Sequence, residues 1–290
     1  MTKLKSLHSA VSDSYTRRTV VKSLGALPFM SAFALAGCDR TGVMKDGAVA
    51  ASTVSQGTYS GPWAVGGTDL ITSAYPPTSI FETGRTCSIA LTERTTEGPC
   101  YFQDSTGEDI SEGREGLPMQ LCLQLIDENC QPLANHKIEV WHCDSEGIYS
   151  ADTSNSEYSR RFNEGFCSGD KESALSSTWF RGQLMTDSDG RVNFKTCFPG
   201  WYQGRTIHIH FSVTDSNGNA SVTSQFCFQD GLAKEICTQH PNYMARGEQG
   251  TPLSSGRDTV FPRSGFEAFM LTTRLNDDGT LLSYGSIQIS

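Results

Sequence analysis

Downstream of about residue 87 the chain alternates apolar and polar positions in short runs, each closed by a turn-forming cluster, as strands half buried against a core do. Met119, Leu121, Leu123 and Leu125 alternate with Gln120, Cys122 and Gln124 before the turn Asp127-Glu128-Asn129, which predicts a strand with one solvated face. A second strand is predicted over 137–142. Residues 182–185 and 192–195 flank Asp187-Ser188-Asp189-Gly190, a hairpin signal that lacks the later ligands of a calcium loop and so reads as a turn. Residues 207–214 and 221–228, joined by Asp215-Ser216-Asn217-Gly218, predict another strand pair. No internal repeat is visible, and no helix of more than about two turns is signalled. Many short strands with regular turn punctuation predict an all-β sandwich with long loops over 87–290.

Upstream the periodicity fades. Residues 38–86 are rich in Gly, Ser, Thr and Ala and read as a tether and irregular arm, with Trp63 and Tyr75-Pro76-Pro77 placed to dock on the domain. Residues 1–37 read as an address. Lys3, Lys5 and Thr16-Arg17-Arg18-Thr19 resemble a twin-arginine export signal, and the apolar run 23–36 is too short to span a bilayer. Leu35-Ala36-Gly37-Cys38 is similar to a bacterial lipobox, which implies an exported, extracytoplasmic protein anchored to membrane lipid through Cys38.

The formal net charge of -9 excludes a basic face for nucleic acid, and removing residues 1–37 takes away five bases and one acid, leaving the chain more acidic still. Ten cysteines are many for a reduced compartment. Lipidation of Cys38 would leave an odd number, and with no CxxC spacing they read mainly as disulfides of open connectivity, Cys143 among them.

In Arg205-Thr206-Ile207-His208-Ile209-His210-Phe211, a period of two sets Ile207, Ile209, Phe211 and Val213 on one face and two imidazoles side by side on the other. On its own that is a polar strand face. Tyr202 after Pro199-Gly200-Trp201, and Tyr149 closing Trp141-His142-Cys143-Asp144-Ser145-Glu146-Gly147-Ile148, change the picture, because two tyrosines with two histidines suit a hard, oxidised metal. His142 reads as a structural hydrogen-bonding group, His136 and His240 as loop residues, and Glu97 and Arg114 as structural or rim residues.

Together with Thr96-Glu97-Gly98-Pro99 and Phe180-Arg181-Gly182, these segments resemble the intradiol ring-cleavage dioxygenases, from about residue 92 to 229. The resemblance implies non-haem Fe(III) held by Tyr149, Tyr202, His208 and His210, and cleavage of catechol-type rings with O2 to muconate-type diacids. It implies that Tyr202 yields to the substrate and takes a proton, that Arg205 stabilises charge on the bound substrate, and that Gln225 lines the same pocket. The Tyr202–His208 connection is shorter than in the family's protocatechuate and catechol members, which implies an open pocket wall. A different class remains as the alternative: a non-catalytic β-sandwich module that binds an aromatic ligand or a structural metal.

Overall fold

The computed structural model describes residues 63–82, 92–103, 107–153, 162 and 165–290, all within the unit Ser52–Ser290. The export and lipidation motifs at Arg17-Arg18 and Cys38 lie outside the described residues. Eight strands form two four-stranded sheets: β1 (Pro118–Ile126), β2 (Lys137–Trp141), β3 (Arg181–Met185), β4 (Arg191–Cys197), β5 (His208–Thr214), β6 (Ala220–Cys227), β7 (Thr272–Leu275) and β8 (Leu281–Gln288). One sheet runs β4-β1-β8-β7 and the other β3-β2-β5-β6. Pairing is antiparallel throughout except where β8 joins β1 in parallel. Leu121, Leu123 and Leu125 from the first sheet meet Ile138, Val140, Ile209, Phe211 and Val213 from the second in one core.

Three sequence expectations change. The turn at 187–190 forms, with Asp187 Oδ1 accepting the N–H groups of Asp189 and Arg191, but it is not a hairpin. β3 pairs with β2 and β4 with β1, so the turn carries the chain from one sheet to the other. β1 is buried on both faces, because the arm 63–82 covers its polar side. Phe81 packs there with Cys122 and Leu282, a burial that contributes about 1.5–3 kcal/mol. Gln120 and Gln124 are satisfied by the carbonyls of Ser73 and Asp189. Trp63 also reaches the core, and His240 fixes that end of the arm through Ala64 O at 3.0 Å, so His240 is a buried anchor and not a free loop residue.

The third change is helical. Besides the short α1 (Glu172–Leu175), α2 (Asp230–Gln239) makes nearly three turns and buries Leu232, Ala233, Ile236 and Cys237, and α3 (Pro241–Met244) follows. Asp230 at the start of α2 accepts the N–H groups of Leu253 and Ser254, both at 2.8 Å, fixing the segment that approaches the start of β5. Among the described residues no helix is long and apolar enough to cross a membrane.

The cysteines also depart from expectation. Cys100 and Cys167 form a disulfide and Cys130 is disulfide-bonded, whereas Cys122, Cys143, Cys197, Cys227 and Cys237 are buried free thiols. Buried on strands (Cys122, Cys197 and Cys227), on α2 (Cys237) or in the loop after β2 (Cys143), these thiols pack as small apolar groups. Cys143 is therefore not in a disulfide; its Sγ–H points to Gly200 O at 3.4 Å.

Candidate metal centre

Strand register assembles the floor of the site. Arg181, Trp141, His210 and Gln225 are successive cross-strand partners on β3, β2, β5 and β6, so they form one row on the face turned away from the core. The His210 ring stacks on Trp141 with centroids 4.9 Å apart and planes 11° apart. His208, two residues earlier on β5, shares this face by the pleat.

The tyrosines arrive on two loops fastened to each other. Asp144 Oδ1 accepts the N–H groups of Glu146 and Ile148, curling the chain toward Tyr149, and Arg114 pairs with the same carboxylate at 2.5 Å. Gly200 donates to Asp144 O at 2.9 Å, and a Cβ at Gly200 would stand 2.4 Å from Ser145 O. Gly147, at φ +79°, would likewise drive a Cβ to 2.3 Å from Trp201 O. Glycines are thus required where the two backbones touch, and the contact sets the Tyr149 and Tyr202 rings 5.8 Å apart. The Cys100–Cys167 disulfide bounds the same region, since Cys167 O accepts the Tyr149 N–H at 2.8 Å and Cys100 O accepts Arg181 Nη2 at 2.8 Å.

All of these groups converge on His208 Nε2. Tyr202 Oη lies 3.1 Å from it, Tyr149 Oη 3.4 Å, His210 Nε2 3.0 Å and Arg205 Nη1 3.3 Å. His208 Nδ1–H donates to Thr206 O at 2.5 Å, which leaves Nε2 a bare lone pair. One lone pair cannot satisfy four neighbours. His210 Nδ1 has no hydrogen-bond partner among the described residues, so nothing on that side opposes the tautomer that presents its Nε2 lone pair as well. Two imidazole nitrogens and two phenol oxygens aimed at one point fit a small, hard cation. Among the described residues no group of three or more His, Cys, Asp or Glu is placed to hold a metal, so the phenols are indispensable to any such centre.

Burial dominates the electrostatics. It drives the Tyr149 phenol well above its usual range, with Tyr202 and Cys143 adding to the effect, and raises Tyr202 to about 12 against the pull of Arg205. His208 and His210 are driven well below the imidazole range by burial and then by Arg205. Left to themselves, all four are neutral at pH 7; a bound cation is what reverses this for the phenols.

The remaining expected residues are placed as follows. Arg205 Nη2 donates to Gln225 Oε1, and Gln225 Nε2 donates to Thr96 O at 2.9 Å, tying the Thr96-Glu97-Gly98-Pro99 segment to the site. His142 is buried away from the convergence point, donating to Cys143 O and accepting from Thr196 Oγ1, both at 2.8 Å. Arg114 lies over the Trp179 ring at 4.0 Å besides pairing with Asp144, a structural role. The sequence reading missed Arg181, which threads beneath Tyr149 to bond Ser150 O at 2.6 Å, and Asp258, which meets Arg205 at 3.2 Å. Arg181 lies in the Phe180-Arg181-Gly182 segment that carries part of the resemblance, a signal that could have found it, whereas Asp258 carries no local signal.

One sheet of the sandwich thus carries two histidines, and two loops bring two tyrosines to them. In comparisons with known proteins, residues 96–238, just under half of the chain, match the family model described as Dioxygenase, and the chain is similar to intradiol ring-cleavage dioxygenases. It is 27% identical over 158 residues to catechol 1,2-dioxygenase 1 of Acinetobacter lwoffii, covering 51% of this chain and 45% of that protein. It is also 27% identical over 190 residues to hydroxyquinol 1,2-dioxygenase of Corynebacterium glutamicum, covering 58% of each. The chain thus spans about half the length of the curated relatives it matches. Among solved structures, the intradiol ring-cleavage dioxygenase from Tetranychus urticae is similar with a TM-score of 0.58 at 25% identity, over 69% of this chain and 95% of that one.

Proposed function

We propose that the protein is a non-haem Fe(III) intradiol dioxygenase that opens catechol-type rings between the two hydroxyl-bearing carbons. The observation that carries this reading is the convergence of Tyr149, Tyr202, His210 and Arg205 on His208 Nε2. Atoms balance without a reductant: one ring C–C bond breaks, and both atoms of O2 enter the two new carboxyl groups of a muconate-type product. Tyr149, Tyr202, His208 and His210 would hold the ion, which when bound supplies a Lewis acid for the catechol oxygens and makes the ring reactive toward O2.

The chain's own residues do the rest. Tyr202 is less buried than Tyr149, so it is the phenol that gives way to an arriving catechol, and its Oη takes a hydroxyl proton. Arg205 sets a permanent cation beside the substrate oxygens, and Gln225 fixes its Nη2 edge. Trp141 stacks on His210 and keeps that ring in place, and the 92–103 segment is tied to the site through Thr96 O. At the open side Phe166, 46% exposed, stands edge-on to Tyr202 at 6.3 Å and packs on Phe162 at 4.6 Å. This aromatic rim supports substrates with substituents on the catechol ring.

The test is O2 uptake by iron-loaded protein with catechol, protocatechuate, hydroxyquinol and larger plant-derived catechols. A product absorbing in the ultraviolet, with one O2 consumed per ring, is expected. A yellow semialdehyde, or no uptake by a coloured, fully loaded protein, overturns the reading in favour of extradiol cleavage or a non-catalytic module. Export and lipid anchoring belong to the same proposal, and the Cys100–Cys167 disulfide supports an oxidising compartment. Cys38→Ser should release the protein from membranes, and unchanged membrane association refutes the anchor.

A further inference from the structure

Asp258 lies far along the chain from Arg205, yet its side chain is only 3% exposed. A carboxylate this deep needs its oxygens satisfied, and the two are satisfied differently. Oδ1 accepts the N–H groups of Val260 and Phe261, both at 2.8 Å, which is a local turn. Oδ2 reaches across to the start of β5, accepting Thr206 N–H at 2.6 Å and Arg205 Nε–H at 3.2 Å. The guanidinium is therefore held at Nε by Asp258 and at Nη2 by Gln225, with the Phe261 ring 5.7 Å from its centre. Nη1 is left facing His208 Nε2 at 3.3 Å.

We propose that Asp258 is a positioning residue for the ring-cleavage reaction: its Oδ2 fixes which edge of Arg205 is presented to the bound catechol. The inference rests on the role of Arg205 in the function proposed above. A flexible arginine would have to be ordered each time charge develops, and that ordering adds to the barrier; a guanidinium pinned on two nitrogens is ordered beforehand.

Asp258→Asn isolates this effect. The amide keeps an oxygen for Val260 and Phe261 but puts an NH2 against two donors, Thr206 N–H and Arg205 Nε–H. With iron saturating, Asp258→Asn should melt within a few degrees of wild type, keep the visible band, and lose about 10-fold or more in kcat with KM nearly unchanged. Arg205→Ala should lose about 100-fold. The double variant should be no slower than Arg205→Ala, because Asp258 acts through Arg205, and Asp258→Glu should recover part of the loss. Unchanged kcat in Asp258→Asn, or a penalty that persists undiminished in the Arg205→Ala background, overturns the proposal. If wild type turns over no catechol, the functional reading fails by itself, and the Asp258–Arg205 coupling is read instead in anaerobic titration with catechol. There Asp258→Asn should alter the visible spectrum of the catechol complex only when Arg205 is present; an equal change in both backgrounds, or none in either, refutes it. Loss of fold in Asp258→Asn would move the same cycle to Asp258→Glu, whose displaced carboxylate should lower kcat only in the Arg205 background.

Discussion

Replacing both Cys100 and Cys167 by Ser removes a bridge between positions 67 residues apart. Closing a loop of that length restricts the unfolded chain by an entropy worth about 4 kcal/mol at 25 °C. For a unit of this size each kcal/mol moves the midpoint by about 2–4 °C, so melting of the double variant should fall by about 10 °C. A second effect follows from the carbonyls flanking the bridge. Cys167 O orients the Tyr149 N–H and Cys100 O holds Arg181 Nη2, so the cut should also loosen the Tyr149 phenol and weaken iron retention. Calorimetry or denaturant melts of the iron-free proteins measure the first effect, and competition with a chelator measures the second. A midpoint within about 2 °C of wild type would refute the entropic argument. Normal iron retention in a destabilised variant would refute the link to Tyr149.

Three further outcomes are expected. His208→Ala and His210→Ala should each abolish iron retention and colour together; full iron occupancy in either sinks the ligand set. Burial, reinforced by Arg181 and opposed by the Cys143 carbonyl, holds His142 down at about 4, so between pH 6.5 and 4 the unfolded chain takes up a proton that the folded chain refuses. Stability is therefore lost as pH falls through that window, by about 3 kcal/mol in total, and His142→Asn should lose correspondingly less in parallel melts. Equal pH slopes for the two proteins would disprove the assignment. Gly200→Ala should cost about 1–3 kcal/mol, since its methyl group meets the backbone oxygens of Ser145 and Asp144 at 2.4 and 2.6 Å, and it should shift the visible band by moving Tyr202 off Tyr149. An unaltered spectrum would show that the two loops are not coupled there.

Much of this was legible in the sequence because the signals were local. The period of two through Ile207, His208, Ile209 and His210 specified a strand, its core face and two adjacent imidazoles at once. Long-range choices were not legible. The chemistry of Asp187-Ser188-Asp189-Gly190 dictates that the chain reverses, but which sheet each flanking strand joins depends on partners at β1 and β2. Gln120 and Gln124 read as a wet face because nothing in their own segment reveals that the 63–82 arm lies over them. Thiols such as Cys227 and Cys237 carry no sequence mark that separates packing from bridging. Asp258 falls in the same category, an acid whose importance exists only once residue 205 is beside it.

The parallel junction of β8 with β1 has a temporal consequence. During synthesis the donor-bearing sheet β3-β2-β5-β6 has all its strands by residue 227, whereas β4-β1-β8-β7 is missing an inner member until residue 288 has been made. Until then the edge of β1 opposite β4 is open, and the apolar side of the completed sheet faces an incomplete partner. The pairing of β8 with β1 is thus the last to become possible, and Cys122, which packs with Leu282 in the finished sheet, lacks that cover until then.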